Sequence, residues 1–521
     1  MRRFVLHFLM VGLVSGASVV LSNASMAQTT LVGERIACTE GMADAFPCEG
    51  VDLLSVMKPD DIGAVEENRR YNLNDIWGWS DPASPLEVAI VGRANGTSFV
   101  DVTDPLNPVY LGNLPRRVGT DPTSWRDVKV YGNHAYIGAD SAPHSGVQIF
   151  DLTQLRSFSG TPQEFEPTAV YDGIFQLHNL FINEETSTLF IVGADGANVC
   201  GRGLHMVDIS EPATPEFAGC FSHLGTGRQL SGYTHDTQCT IYDGPDEDHT
   251  GREICFSSNE THLSIADVTD KSAAVAISSA TYPNVAYAHQ GWLSTDRRYF
   301  FQGDELDENN GLVSFRRTLV WDVQDLDDPI LAAEYSAPGT SIDHNMYVVG
   351  DRLYQSNYVD GLQVLDISNP EQPVEIASFD THPAGGTWSG SWSNYPFFRS
   401  GAIAVSSSHF GLFMVVESDR SLAATGTEKA AELPEGLTLS TVFPNPFSST
   451  ASIAFSSTTT RRVTVAVLDM TGREVQSVFE GVLPTGTTSF SINGDGWAAG
   501  VYMLRISGDD FSVTRALTHL P

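Results

Sequence analysis

Residues Leu362–Pro373 read LQVLDISNPEQP, a short run rich in apolar residues that gives way to Asp-Ile-Ser and then Asn-Pro. Such a run is a strand and its ending is a turn. The pattern returns as TSFVDVTDPLNP from Thr97, VQIFDLTQL from Val147, LHMVDISEPATP from Leu204, LSIADVTD from Leu263 and LVWDVQDLDDP from Leu319. LFMVVESD from Leu412 is a degraded last copy. The acidic residues of the seven copies, Asp101, Asp151, Asp208, Asp267, Asp322, Asp366 and Glu417, are spaced by 44 to 59 residues. That period suits one four-stranded blade per copy and predicts an all-β, seven-bladed β-propeller.

Within each unit a second apolar segment, such as PVEIASFD or PVYLGNLP, is the expected outer strand. The opening segments DHNMYVVG, AHQGWLST and LHNLFINE are expected innermost. A large sandwich would also use many short strands, but it has no need of a period of about fifty residues.

Arg2 and Arg3 precede the apolar run VLHFLMVGLVSGASVVL, and Ser25-Met26-Ala27 offers a cleavage site, so residues 1–27 read as a signal peptide. No other long apolar run suggests a transmembrane segment in the mature chain. Six cysteines fall into local pairs, Cys38 with Cys48, Cys200 with Cys220 and Cys239 with Cys255, although 15 pairings are possible in principle. Outside the cytoplasm they read as structural disulfides. The 64 Asp and Glu against 29 Lys and Arg give a net charge of −35, with lysine only at Lys58, Lys129, Lys271 and Lys429. Such a surface repels nucleic acid and anionic membrane and suits a salty extracellular setting.

Four pieces follow the signal. Residues 31–60 form a disulfide-pinned lead-in, 61–418 the propeller, 419–438 a linker and 439–521 a small antiparallel β-sandwich. The linker is polar, contains Ala and Gly, and lacks strand periodicity. The last piece alternates ASIAFS, RRVTVAVLDMTGREV, TTSFSING, GVYMLRISG and FSVTRALT with Gly-rich turns, and it has too few convergent polar groups for catalysis.

His178, His235, His289 and His344 open the innermost strands of four consecutive blades, and Trp77, Trp125 and Trp392 take the matching place in the other three. A ring turns these positions toward one end of its channel. The four histidines are candidate ligands for a divalent transition metal, with Asp127, Asp236 and Asp343 nearby to orient them. The simpler alternative is a plug of His and Trp hydrogen-bonded across the channel. Two acidic stretches, Asp243, Asp246, Glu247 and Asp248, and Asp304, Glu305, Asp307 and Glu308, suggest calcium, but neither has the spacing of a helix-loop-helix calcium loop. In so acidic a chain, solvated loops explain them as well.

The chain has no Gly-x-Ser-x-Gly elbow, no His-Glu-x-x-His helix and no phosphate-cradling loop. The expected function is a secreted or cell-surface binding module for a protein or glycan. The alternative is a metal-dependent extracellular hydrolase or lyase using the histidine ring.

Two resemblances add to this reading. Pro444-Asn445-Pro446, the strand ending at Leu468-Asp469, the turn at Gly472 and Ala499-Gly500-Val501-Tyr502 resemble the type A sorting domain of the type IX secretion system, with Arg515 where a Lys is common. That resemblance implies export by the type IX machinery and release or attachment at the cell surface. CTEGMADAFPCEGVDLLS from Cys38, NDIWGW from Asn74, GTSFVDVTDP from Gly96, SWRDVKV from Ser124 and the repeats resemble the choice-of-anchor B family, surface proteins with LVIVD repeats. This second resemblance implies a propeller fold and a surface location, and it brings no activity with it.

Overall fold

The computed structural model describes residues 30–64, 73–196, 200–339, 341–420, 422, 437–439, 450–468, 474–494, 497, 500–508 and 512–519. The signal peptide expected over residues 1–27, most of the linker and the Pro444-Asn445-Pro446 opening lie outside them.

The repeat's aspartate has a local job. Asp366 Oδ1 accepts the amide hydrogen bond of Ser368 at 2.8 Å, ending the strand Leu362–Asp366 in an Asx turn. Asp101 does the same with Thr103, Asp151 with Thr153, Asp208 with Ser210, Asp267 with Thr269 and Asp322 with Gln324, all at 2.8–2.9 Å. The degraded copy departs: Glu417 instead takes the Tyr354 hydroxyl at 2.7 Å and pairs with Arg352 and Arg420.

The chain is all-β, and most of its sheets are four-stranded and antiparallel. Seven sheets begin, in chain order, with the strands Leu73–Ser80, Arg126–Tyr131, Asn179–Asn183, Asp236–Ile241, Ala288–Leu293, Met346–Val349 and Ser391–Tyr395. Each of these strands contacts the next, and the last contacts the first, in a propeller-like arrangement. In six sheets a bulge interrupts the pairing of the repeat strand with the strand outside it, as between Phe99 and Val100 or Val364 and Leu365, which increases the local twist. Apolar residues of neighbouring sheets fill the space between them, for example Ile254, Phe256, Phe300 and Trp321.

The segment expected as a lead-in supplies strands to two sheets. Val51–Met57 pairs antiparallel with Gly411–Glu417 and is the outermost strand of the seventh sheet. Phe46–Glu49 pairs with Val374–Phe379 at the edge of the sixth. Disulfides join Cys38 to Cys48, Cys200 to Cys220 and Cys239 to Cys255. The last of these bridges facing positions on adjacent strands of the fourth sheet.

Two further sheets form the C-terminal region. One joins Leu437–Leu439, Thr450–Ser457 and Gly486–Asn493, and the other joins Glu474–Leu483, Arg461–Leu468, Gly500–Gly508 and Ser512–His519. Ile453, Phe455 and Ile492 of the first share a core with Val463, Val465, Leu504 and Ile506 of the second.

Candidate functional site

Inner strands that open on the same residue type bring those side chains together at one end of the ring. The imidazole centroids of His178, His235, His289 and His344 follow one another at 4.3, 4.2 and 4.4 Å. They line a cavity of about 340 Å³ together with Trp125, Asp140, Arg228, Tyr233, Tyr287, Glu305 and Trp392. Trp125 stands 41% exposed at the rim, whereas Trp392 is buried with its ring 4.9 Å from that of His344.

The hydrogen-bond network assigns the ring protons. His235 Nδ1 donates to the His289 carbonyl at 2.7 Å, and His344 Nδ1 donates to the Trp392 carbonyl at 2.6 Å. His289 Nδ1 is turned toward the His344 backbone in the same sense, short of hydrogen-bond geometry. Each backbone contact leaves an Nε2 lone pair for the cavity. His178 is different, because its Nδ1 lies 2.7 Å from Asp140 Oδ2 and its Nε2 lies 2.7 Å from His235 Nε2. A doubly protonated His178 donates in both directions and occupies the His235 lone pair.

Titration follows the same division. Burial opposes charge on His178, but the Asp140 hydrogen bond and carboxylate prevail and hold its pKa above the ordinary value. Burial first, and then the charge of neighbouring histidines, holds His235 and His289 well below theirs. Burial brings His344 down to about 3, with the His178 charge adding to it. Burial pushes Glu305 up to about 7, against the Tyr358 hydroxyl that donates to it at 3.0 Å.

Glu305 faces both free imidazoles, 3.8 Å from His289 Nε2 and 3.7 Å from His344 Nε2. The ligand atoms of His289, Glu305 and His344 all lie within 4.8 Å of one another. Two neutral imidazoles and a carboxylate suit a divalent transition metal and leave positions open for a ligand.

The structure distributes the other candidate residues differently. Trp77 does not line the cavity; it lies deeper, where it packs edge-on against Tyr347 and Tyr395 at 5.7 and 5.2 Å. Trp292 joins the same layer at 5.1 Å from Tyr347. Gly78 has no side chain to obstruct Tyr395, whose ring occupies the space a Cβ would take. Between this layer and the histidines, Lys129 Nζ sits 2.5 Å from Asp127 and 3.7 Å from Asp75. Burial raises Asp75 well above its ordinary range and brings Asp236 to about 7, while the Lys129 charge overcomes burial to keep Asp127 low. Asp127 and Asp236 thus belong to a lysine-centred layer, and Asp343 does not line the cavity. Asp140, outside the repeat pattern, orients His178.

The acidic stretches are also divided. Asp243 pairs with Arg297 at 3.2 Å, and Asp246 accepts from the amides of Asp248 and Leu326. Asp304 accepts from the Tyr282 hydroxyl and from the amides of Ala286 and Tyr287. Glu305 alone of its stretch joins the histidines. The sequence reading missed that role, and the only available signal was its place just beyond the strand Tyr299–Asp304, which pairs with the one carrying His289.

The family described as "Secretion system C-terminal sorting domain" matches residues 441–518, and the LVIVD repeat matches residues 124–142, 198–222 and 345–381. The chain carries LVIVD repeats and a type IX sorting domain. It is a secreted or cell-surface β-propeller protein that passes through the type IX machinery. No helix among the described residues is long and apolar enough to cross a membrane. No curated protein matches the chain. Similar solved structures include a Lactobacillus plantarum protein, 12% identical, covering 76% of this chain and 95% of its own, with a TM-score of 0.43. A functionally unknown Desulfotomaculum acetoxidans protein is 12% identical over 65% of this chain and 99% of its own, with a TM-score of 0.41. The C-terminal WD40 domain of Sif2 is 9% identical over 66% of this chain and 96% of its own, with a TM-score of 0.42.

Proposed function

We propose that this protein is a seven-bladed β-propeller followed by a small β-sandwich, and that it acts as an extracellular binding module whose ligand meets a divalent transition metal at the channel mouth. The closed contact of seven inner strands supports the blade count, and the core shared by the two C-terminal sheets supports the sandwich. Val51–Met57 then belongs to the propeller as the closing strand of the last blade. The resemblance of the Cys38–Ser55 region to choice-of-anchor B proteins fits a surface role.

The observation that carries the metal reading is the facing of His289 Nε2 and His344 Nε2 onto Glu305 inside a polar cavity. Cationic Arg228, which lies 4.4 Å from the Tyr287 ring centroid, and the exposed face of Trp125 border the same space. A metal with open positions beside a cation and an indole suits a ligand with both an oxygen anion and an apolar face, such as an acidic sugar or a protein carboxylate.

Calorimetric titration of the chelator-treated protein with zinc, manganese and ferrous iron tests this reading. We expect one site per chain, with affinity reduced at least 100-fold in His289→Gln/His344→Gln. Equal uptake by both proteins would remove the site from these residues.

The Asp140–His178 pair favours a second reading, a metal-dependent hydrolase or lyase in which His178 supplies a proton beside the metal. Turnover of a glycan or peptide that disappears in His178→Gln, with metal content unchanged, would establish it.

A further inference from the structure

Asp307, Glu308 and Asp343, the residue before His344, gather with one ligand oxygen from each within 4.8 Å of the others. Most carboxylates near them have partners. Asp304 accepts four hydrogen bonds, and Asp307 accepts from Arg317 Nε at 2.6 Å and from the Glu308 amide at 2.8 Å. The Arg317 charge is shared with Glu334 at 3.3 Å, and its remaining donors go to the carbonyls of Pro283 and Asn284.

Asp343 is the exception. Only 2% of it is exposed, and neither carboxylate oxygen finds a hydrogen-bond partner beyond its own backbone among the described residues. Glu308 Oε2 is buried and unpartnered in the same way. A buried ionised carboxylate without a partner costs several kcal/mol, so such a group needs a proton or a cation. The chain leaves room for Asp343: a Cβ at Gly303 would collide with Asp343 Oδ2.

We infer that Asp307, Glu308 and Asp343 form a second metal site, for a hard divalent cation, and that its occupant outside the cell is Ca²⁺. The donors are all oxygen, with neither imidazole nor thiolate among them, which selects calcium over zinc or copper. Three carboxylates against one shared guanidinium leave a charge deficit that a divalent ion fills. The site is distinct from the pair of imidazoles and Glu305, and it does not depend on metal binding there.

The test uses the purified protein after EGTA treatment, titrated with CaCl₂ by calorimetry and by thermal unfolding. One Ca²⁺ per chain is expected to bind in wild type and to be lost in Asp343→Asn. Saturating Ca²⁺ should raise the wild-type Tm by about 3 °C and leave the variant's unchanged. In EGTA the two should unfold at similar temperatures, because the Asp343 side chain makes no hydrogen bond that the substitution removes. His289→Gln/His344→Gln should keep the full Ca²⁺ response. No binding by wild type, a response that survives Asp343→Asn, or one lost in the histidine double variant would overturn the assignment.

Discussion

One imidazole of the four carries charge while the others stay neutral, and a single carboxylate makes the difference. Without Asp140, burial is opposed only by the charges of Glu305 and Asp236, and His178 is expected to titrate below the ordinary histidine value, as its neighbours do. Asp140→Asn is therefore expected to move the His178 pKa from above about 6.5 to below it, read by NMR titration of the metal-free protein. The sign has a stability consequence. In wild type the pair's contribution is full between about pH 4 and 6.5, fades as pH rises through the raised folded-state value of His178, and is lost in acid as Asp140, whose own pKa is lowered, takes up a proton. The same scale sets the limit of sequence reading: the histidines were legible because they recur with the repeat, whereas Asp140 and Glu305 sit in connections that carry no period.

At the scale of elements, the repeat was readable because its aspartate closes an Asx turn at the same place in six sheets. Its Asp-x-Ser or Asp-x-Thr signature is thus a folding signal and needs no ligand. Trp77 was misplaced for an equally physical reason. The first inner strand bulges between Leu73 and Ile76 as the His289 strand does between Ala288 and Gly291, so Asn74 matches His289 and Trp77 matches Trp292. Trp77 consequently lies in the aromatic layer with Trp292 and Tyr347. The Cys239–Cys255 bridge closes a sequence separation of 16 within the fourth sheet. Replacing both cysteines by serine is expected to cost about 3 kcal/mol in guanidinium unfolding, chiefly by freeing the unfolded chain.

For the whole molecule, closure is the decisive event, and it was the least legible. Val51 pairs with Glu417 across almost the entire ring, and no local pattern announces a partner so distant in sequence. Without the closing strand, Gly411–Glu417 becomes a bare edge next to buried Phe413, Met414 and Val415. Deleting residues 51–57 should replace one cooperative thermal transition with a broad, lower one and produce oligomers on size exclusion; an unchanged monomer with an unchanged transition would mean the ring does not depend on this strand. Closure also holds the histidine-bearing strands at fixed spacing, so a site built from several sheets survives only while the ring is shut.

The most direct test of the metal centre is the elemental content of the purified full-length protein after one incubation with zinc, manganese and ferrous iron and exhaustive dialysis. About one transition-metal equivalent per chain in wild type, falling below about a tenth in His289→Gln/His344→Gln, is the predicted result. A wild-type protein that retains no transition metal, or a double variant that retains as much, would contradict it.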